Sequence, residues 1–85
     1  MKGKHQKILH DIFATPIKPG IPWKDIESLL VTLGAEISEG RGSRVRVALN
    51  GVRAVFHRPH PKKETDKGAV ASMRRFLTEA GVKVE

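Results

Sequence analysis

Apolar and polar positions alternate most regularly in the middle of the chain. In Arg44-Val45-Arg46-Val47-Ala48-Leu49 every second residue is a large aliphatic, and Val52, Ala54 and Phe56 resume the same beat after Asn50-Gly51. A period of two marks a strand with one buried face, and Asn-Gly between two such runs is the strongest short-range hairpin signal, because both turn residues must take positive φ. A two-residue turn fixes the register. Leu49 then faces Val52, Val47 faces Ala54 and Val45 faces Phe56 on the inner side, while Arg44 lies across from His57, Arg46 from Val55 and Ala48 from Arg53 on the outer side.

Elsewhere the spacing becomes helical. Ile8, Leu9, Ile12 and Phe13 recur on one narrow stripe after Gly3, which predicts a short helix that stops before Thr15-Pro16. Pro16, Pro19, Gly20 and Pro22 make residues 17–22 a stiff connector. A second helix starts at Pro22, with Asp25 and Glu27 near the positive end of its dipole. It carries Trp23, Ile26, Leu29, Leu30 and Leu33 on one face and ends at Gly34. Ile37 marks residues 35–39 as a short edge strand, followed by the loop Gly40-Arg41-Gly42-Ser43. Pro59 and Pro61 end the hairpin, and Thr65 or Asp66 caps a last helix with the stripe Val70, Met73, Phe76, Leu77 and Ala80, closed by Gly81. The expected fold class is α+β. It has the double-stranded-RNA-binding-like order α-β-β-β-α, a three-stranded antiparallel sheet with helices on one face, plus an extra N-terminal helix. The expected organisation is an N-terminal helix and Pro-rich connector over residues 1–22 and the main domain over residues 23–85.

Charge changes the picture from fold to function. Between Glu39 and Glu64 lie Arg41, Arg44, Arg46, Arg53, Arg58, Lys62 and Lys63 with no acidic residue, while elsewhere the nine Lys/Arg and nine Asp/Glu cancel. The net charge of +7 therefore resides in residues 40–63. A cationic segment centred on a hairpin is the electrostatic footprint of a polyanion binder. With 85 residues the chain is near the size where one core barely suffices, and without cysteine it has neither disulfides, cysteine-ligated zinc nor thiol redox chemistry. The apolar run after the basic start is broken by His10 and Asp11, far short of a signal peptide or membrane span, so the expected setting is cytoplasmic and no membrane partner is expected.

These segments together resemble the HicA toxins of toxin–antitoxin systems. The resemblance runs over about residues 23–81, through Trp23, Leu29-Leu30, Leu33-Gly34, residues 40–43, the arginine-rich hairpin, the Pro59-His60 exit and Ala80-Gly81. It implies a small endoribonuclease that cleaves messenger RNA, an mRNA interferase held inactive by a HicB-type antitoxin. Family members carry a histidine assigned the catalytic role directly after the Gly-Ser pair. Here Arg44 follows Gly42-Ser43, so that role passes to no residue by name.

Chemistry supplies candidates. Attack of a ribose 2′-hydroxyl on its own phosphate needs a base near neutrality, an acid for the leaving oxygen and cations for the developing charge. Histidine, with an ordinary pKa of about 6.5, suits proton transfer. The register sets His57 beside Arg44, whose guanidinium can clamp phosphate, so the candidate catalytic set is His57, Arg44 and His60. The plain alternative is that His57 is an outward strand residue and His60 a structural or solvent-facing exit residue. Candidate RNA-binding residues are Arg41, Arg44, Arg46, Arg53, Arg58, Lys62 and Lys63. No cofactor or metal is expected, since His57 and His60 lack further ligands, residues 40–43 lack the setting of a P-loop, and Ser43 has no partner histidine and carboxylate. His5 and His10 read as surface residues. Phe13, Phe56, Phe76 and Trp23 all fall on buried faces, which leaves no platform for base stacking. Two readings compete with a ribonuclease toxin: an RNA-binding module that lost cleavage with the histidine, and a DNA- or ribosome-associated structural domain. The oligomeric state is open.

Overall fold

In chain order the elements are α1 (Lys4–Ile12), β1 (Ile21–Pro22), α2 (Trp23–Thr32), β2 (Glu36–Glu39), β3 (Arg44–Leu49), β4 (Val52–His57), β5 (Glu64–Thr65) and α3 (Lys67–Glu79). The computed structural model describes residues 3–59 and 63–84. The hairpin has the register its turn requires. Asn50 and Gly51 adopt φ of 51° and 82°, and Leu49 pairs with Val52, Val47 with Ala54 and Val45 with Phe56. Strand β2 adds to the other edge of β3, with Ile37 against Val47, to give the antiparallel order β2-β3-β4.

Val45, Val47, Leu49 and Phe56 are buried on the side of the sheet that faces α2 and α3, and their neighbours Arg44, Arg46, Val55 and His57 are exposed on the other. Helix α2 buries Trp23, Ile26, Leu29 and Leu30, and α3 buries Val70, Met73, Phe76 and Leu77. Phe56 lies between Trp23 and Phe76 with ring centroids 5.9 and 5.8 Å away, tilted to one and edge-on to the other, the geometry that aromatic quadrupoles favour. The sheet with helices on one face has the expected α-β-β-β-α layout.

The N-terminal helix is part of the same core. Ile8, Leu9 and Ile12 are 5, 1 and 0% exposed, packed with the side chains of α2 and α3. Its C-terminal end is held from α3. Arg74 donates Nε to the Ile12 carbonyl at 3.0 Å and Nη2 to the Ala14 carbonyl at 2.7 Å, and its guanidinium lies 5.8 Å from the Phe13 ring centroid. A cation placed there satisfies carbonyls that the helix cannot bond itself and opposes the negative end of its dipole.

Two features were not legible from periodicity. The connector and the exit from the hairpin pair as a two-residue ladder, Ile21 with Thr65 and Pro22 with Glu64, and the Trp23 amide donates to the Lys63 carbonyl at 3.0 Å. Residues 21–22 are thus a strand where the sequence reads only a connector. Of the two cap candidates, Asp66 takes the role, accepting from the Ala69 amide at 2.7 Å, while Thr65 is buried in the ladder.

Candidate nucleic-acid interface

The side of the sheet opposite the helices is an open grid. Across β2, β3 and β4 one row is Glu36, Ala48 and Arg53, and the next is Ser38, Arg46 and Val55. The last row holds Arg44 and His57, with Gly40 beyond, its amide donating to the Arg44 carbonyl at 2.9 Å. A side chain on Gly40 would come within 3.1 Å of the Arg44 Cβ, so a glycine there keeps the ground beside Arg44 clear. Gly42 supplies the positive φ, 63°, for the turn that brings the Arg44 amide to the Arg41 carbonyl at 3.2 Å.

Hairpin geometry decides how close the facing pairs come. In a ladder closed by a two-residue turn, Leu49 and Val52 form a hydrogen-bonded pair. Counting back, Ala48 with Arg53, Arg46 with Val55 and Arg44 with His57 are all non-hydrogen-bonded pairs. Cα atoms in such pairs are about 4.5 Å apart with side chains closer than in the alternate pairs. The Arg58 amide donating to the Ser43 carbonyl at 2.8 Å continues the ladder in phase, so the Arg44–His57 pair is bracketed by backbone bonds rather than lying at a frayed end. Arg44, Arg46, Arg53 and His57 are exposed, and none of their side chains makes a hydrogen bond or ion pair with a described residue.

Arg58 is placed differently from the other candidates. One residue beyond His57, it falls in phase with Phe56 and points to the helix side, where its Nε and Nη2 donate to Glu27 at 2.7 and 3.1 Å. Its Nη1 donates to Glu39 at 2.7 Å. The two carboxylates hold the guanidinium proton more tightly than usual. The Arg58 guanidinium in turn holds the Glu27 carboxyl below its ordinary range, against the opposing effect of burial, and Trp23 Nε1 adds a further donor. Arg58 therefore fastens β4 to α2 and to the end of β2, and is not on the open face. Arg41 and Lys63 are exposed, Arg41 in the turn beside Arg44 and Lys63 at the start of the β1–β5 ladder. His60 and Lys62 lie outside the described residues.

His5 is not a bare surface residue: its Nε2 is 2.8 Å from Ser28 Oγ and its Nδ1 3.4 Å from Thr32 Oγ1, linking α1 to α2. Glu36 and Ser38 are the positions of the open face that the sequence does not single out. The signal was available, because pairing residues 36–39 with β3 in the same phase as Ile37 sends both of them outward.

A three-stranded sheet with helices on one side and exposed arginines without side-chain partners on the other defines a small α+β domain of the double-stranded-RNA-binding-like kind. Residues 23–82 match the family model of the HicA toxin of bacterial toxin–antitoxin systems, and the chain belongs to that family. It is thus the toxin component of a toxin–antitoxin system, and its partner is an antitoxin. No curated protein and no solved structure matches the chain alongside this family model. The match starts at Trp23, so α1 lies outside it although its side chains complete the core. Among the described residues no helix is long and apolar enough to cross a membrane.

Proposed function

We propose that this toxin is an endoribonuclease that cleaves messenger RNA on the open face of its sheet, and that a HicB-type antitoxin silences it by covering that face. The observation that carries the reading is the close cross-strand pair Arg44 and His57, set among unpaired arginines and open to solvent. His57 takes the proton from a ribose 2′-hydroxyl as its oxygen attacks the adjacent phosphorus. The bond to the 5′-oxygen breaks, leaving a 2′,3′-cyclic phosphate and a 5′-hydroxyl, and Arg44 holds the non-bridging oxygens as negative charge grows on them. His60 is the candidate for returning a proton to the 5′-oxygen. Arg46 and Arg41 guide the neighbouring phosphates, Arg53 adds to the cationic face toward the bound strand, and Lys62 and Lys63 are candidates for further phosphates. Cytoplasmic messenger RNA is the substrate this chemistry fits.

Induced expression in a bacterial cell is expected to arrest growth with loss of messenger RNA, and the purified chain to leave cyclic-phosphate ends on RNA. His57→Ala is expected to lower the cleavage rate by at least ~100-fold, the usual range for a proton-transfer residue, with RNA affinity nearly unchanged. Full toxicity of that variant would remove His57 from the site. A second reading has a specific observation behind it: Arg44 stands where the family carries a histidine, which favours a module that binds RNA without cutting it. Harmless expression with intact RNA would select that reading, and a gain of cleavage in Arg44→His would explain it.

A further inference from the structure

Next to the Arg44–His57 row the open face dips into a trough of about 440 Å³, walled by Glu36 and Ser38 on β2 and by Arg53 and Val55 on β4, with Ala48 and Arg46 from β3 between them. Ala48 lies between Glu36 and Arg53 in one cross-strand row. With neighbouring strands about 4.8 Å apart, the carboxylate and guanidinium arise roughly 10 Å from one another over an alanine floor. Neither is bonded to the other or to any other described residue. Val55, 56% exposed, is the one exposed large apolar side chain among the described sheet residues.

Glu36 is out of place on a surface that grips phosphates, since a carboxylate there repels the polyanion. It becomes an asset only against a group that offers hydrogen-bond donors. Among the nucleobases, guanine alone presents two adjacent donors on one edge, N1–H and the 2-amino group, and two adjacent acceptors on another, O6 and N7. A carboxylate matches the first edge and an arginine fork the second. The alanine floor, with Val55 as an apolar wall, accepts the flat of the ring without aromatic stacking.

We infer that this trough is a guanine subsite, in which Glu36 reads the N1/N2 edge and Arg53 the O6/N7 edge of a single-stranded RNA base adjoining the scissile phosphate. The assignment rests on the proposed RNA-binding face and adds to it a base preference at one position. Arg46, at the end of the trough nearest Arg44, then takes the phosphate that joins the two sites.

The test uses the full chain and fluorescent 2′-O-methyl heptaribonucleotides, which cannot be cleaved by 2′-attack, so binding is read apart from catalysis. The set is a uridine tract with a single central guanine, adenine or inosine. The guanine oligomer is expected to bind about 5- to 20-fold tighter than the adenine one, the lower part of the range for a bidentate base contact. Inosine, which lacks the 2-amino group, is expected to lose most of that advantage. Glu36→Gln is expected to abolish the guanine-over-adenine ratio while binding uridine tracts at least as well, and Arg53→Gln to lower affinity for all of them. Equal affinity for guanine and adenine, or a ratio that survives Glu36→Gln, overturns the subsite and leaves the trough to the antitoxin. Failure of every oligomer to bind the native chain at low salt overturns the RNA-binding face itself, a different result from loss of the base preference.

Discussion

Arg46 and Arg58 belong to the same β-ribbon and its first residue beyond, yet their guanidinium groups meet opposite surroundings. Arg46 stands on the outer face with no bonded partner, and Arg58, in the inward phase, is fixed by Glu27 and Glu39. Arg74 resembles Arg58, since it holds the end of α1 through the Ile12 and Ala14 carbonyls. Equal formal charge therefore divides into two populations. One ties elements together through bonds to carboxylates or carbonyls, and the other, Arg44, Arg46 and Arg53, leaves its field directed at solvent. Total charge counts both groups alike, whereas the second has its donors open for direct contact with a polyanion.

The sharpest way to break this division is to reverse the outer group. Arg44→Glu, Arg46→Glu and Arg53→Glu together are expected to weaken RNA binding by at least ~100-fold and to flatten its dependence on log salt by about 2, measured by fluorescence anisotropy across a salt series. The melting temperature should stay near that of the parent, because these exposed side chains make no bonded contact. Arg74→Ala should do the reverse. Losing two charge-assisted bonds to helix carbonyls and the contact with Phe13 is expected to cost about 2 kcal/mol in a urea melt, with RNA affinity unchanged.

Acid sharpens the comparison further. Arg58 lowers the pKa of Glu27, so the ionised pair stabilises the fold above the usual carboxylate range, and that contribution disappears as pH falls through the lowered value. Glu27→Gln is thus expected to melt several degrees below the parent at pH 7, with the gap closing as both are titrated into acid; a gap that is constant with pH would show that charge plays no part there. Glu39→Gln is the smallest effect. Its side chain is 69% exposed, so the change in melting temperature is expected to be about 2 °C or less.

The hairpin's share of the outer face could be read from the sequence, because Asn50-Gly51 fixes a register and the alternating Val45, Val47, Leu49 and Phe56 fix which side is buried. From these follow the Arg44–His57 pair and the exposure of Arg46 and Arg53. The position of Arg58 was legible too, by extending the same alternation one step past His57, but its grouping by charge with its neighbours hid its phase. By contrast, β1 and β5 are each two residues long and pair across more than forty positions, so neither carries a period to detect. The Arg74 bonds to the Ile12 and Ala14 carbonyls span about sixty positions, and although Arg74 flanks the buried stripe of α3, nothing in its spacing names those partners. Glu36 and Ser38 carry no period of their own, because Ile37 is the one strong strand former in residues 35–39.

The Asn50 side chain donates to the Ala80 carbonyl at 2.7 Å, at the C-terminal end of α3. That amide moors the tip of the ribbon to a helix end whose carbonyls would otherwise turn to water. The tip of the ribbon is in this way joined to α3, as the end of α1 is through Arg74. The turn that sets the register of the outer arginines is thus tied to the helix behind the sheet, and Asn50→Ala would leave that turn without its side-chain bond to the end of α3.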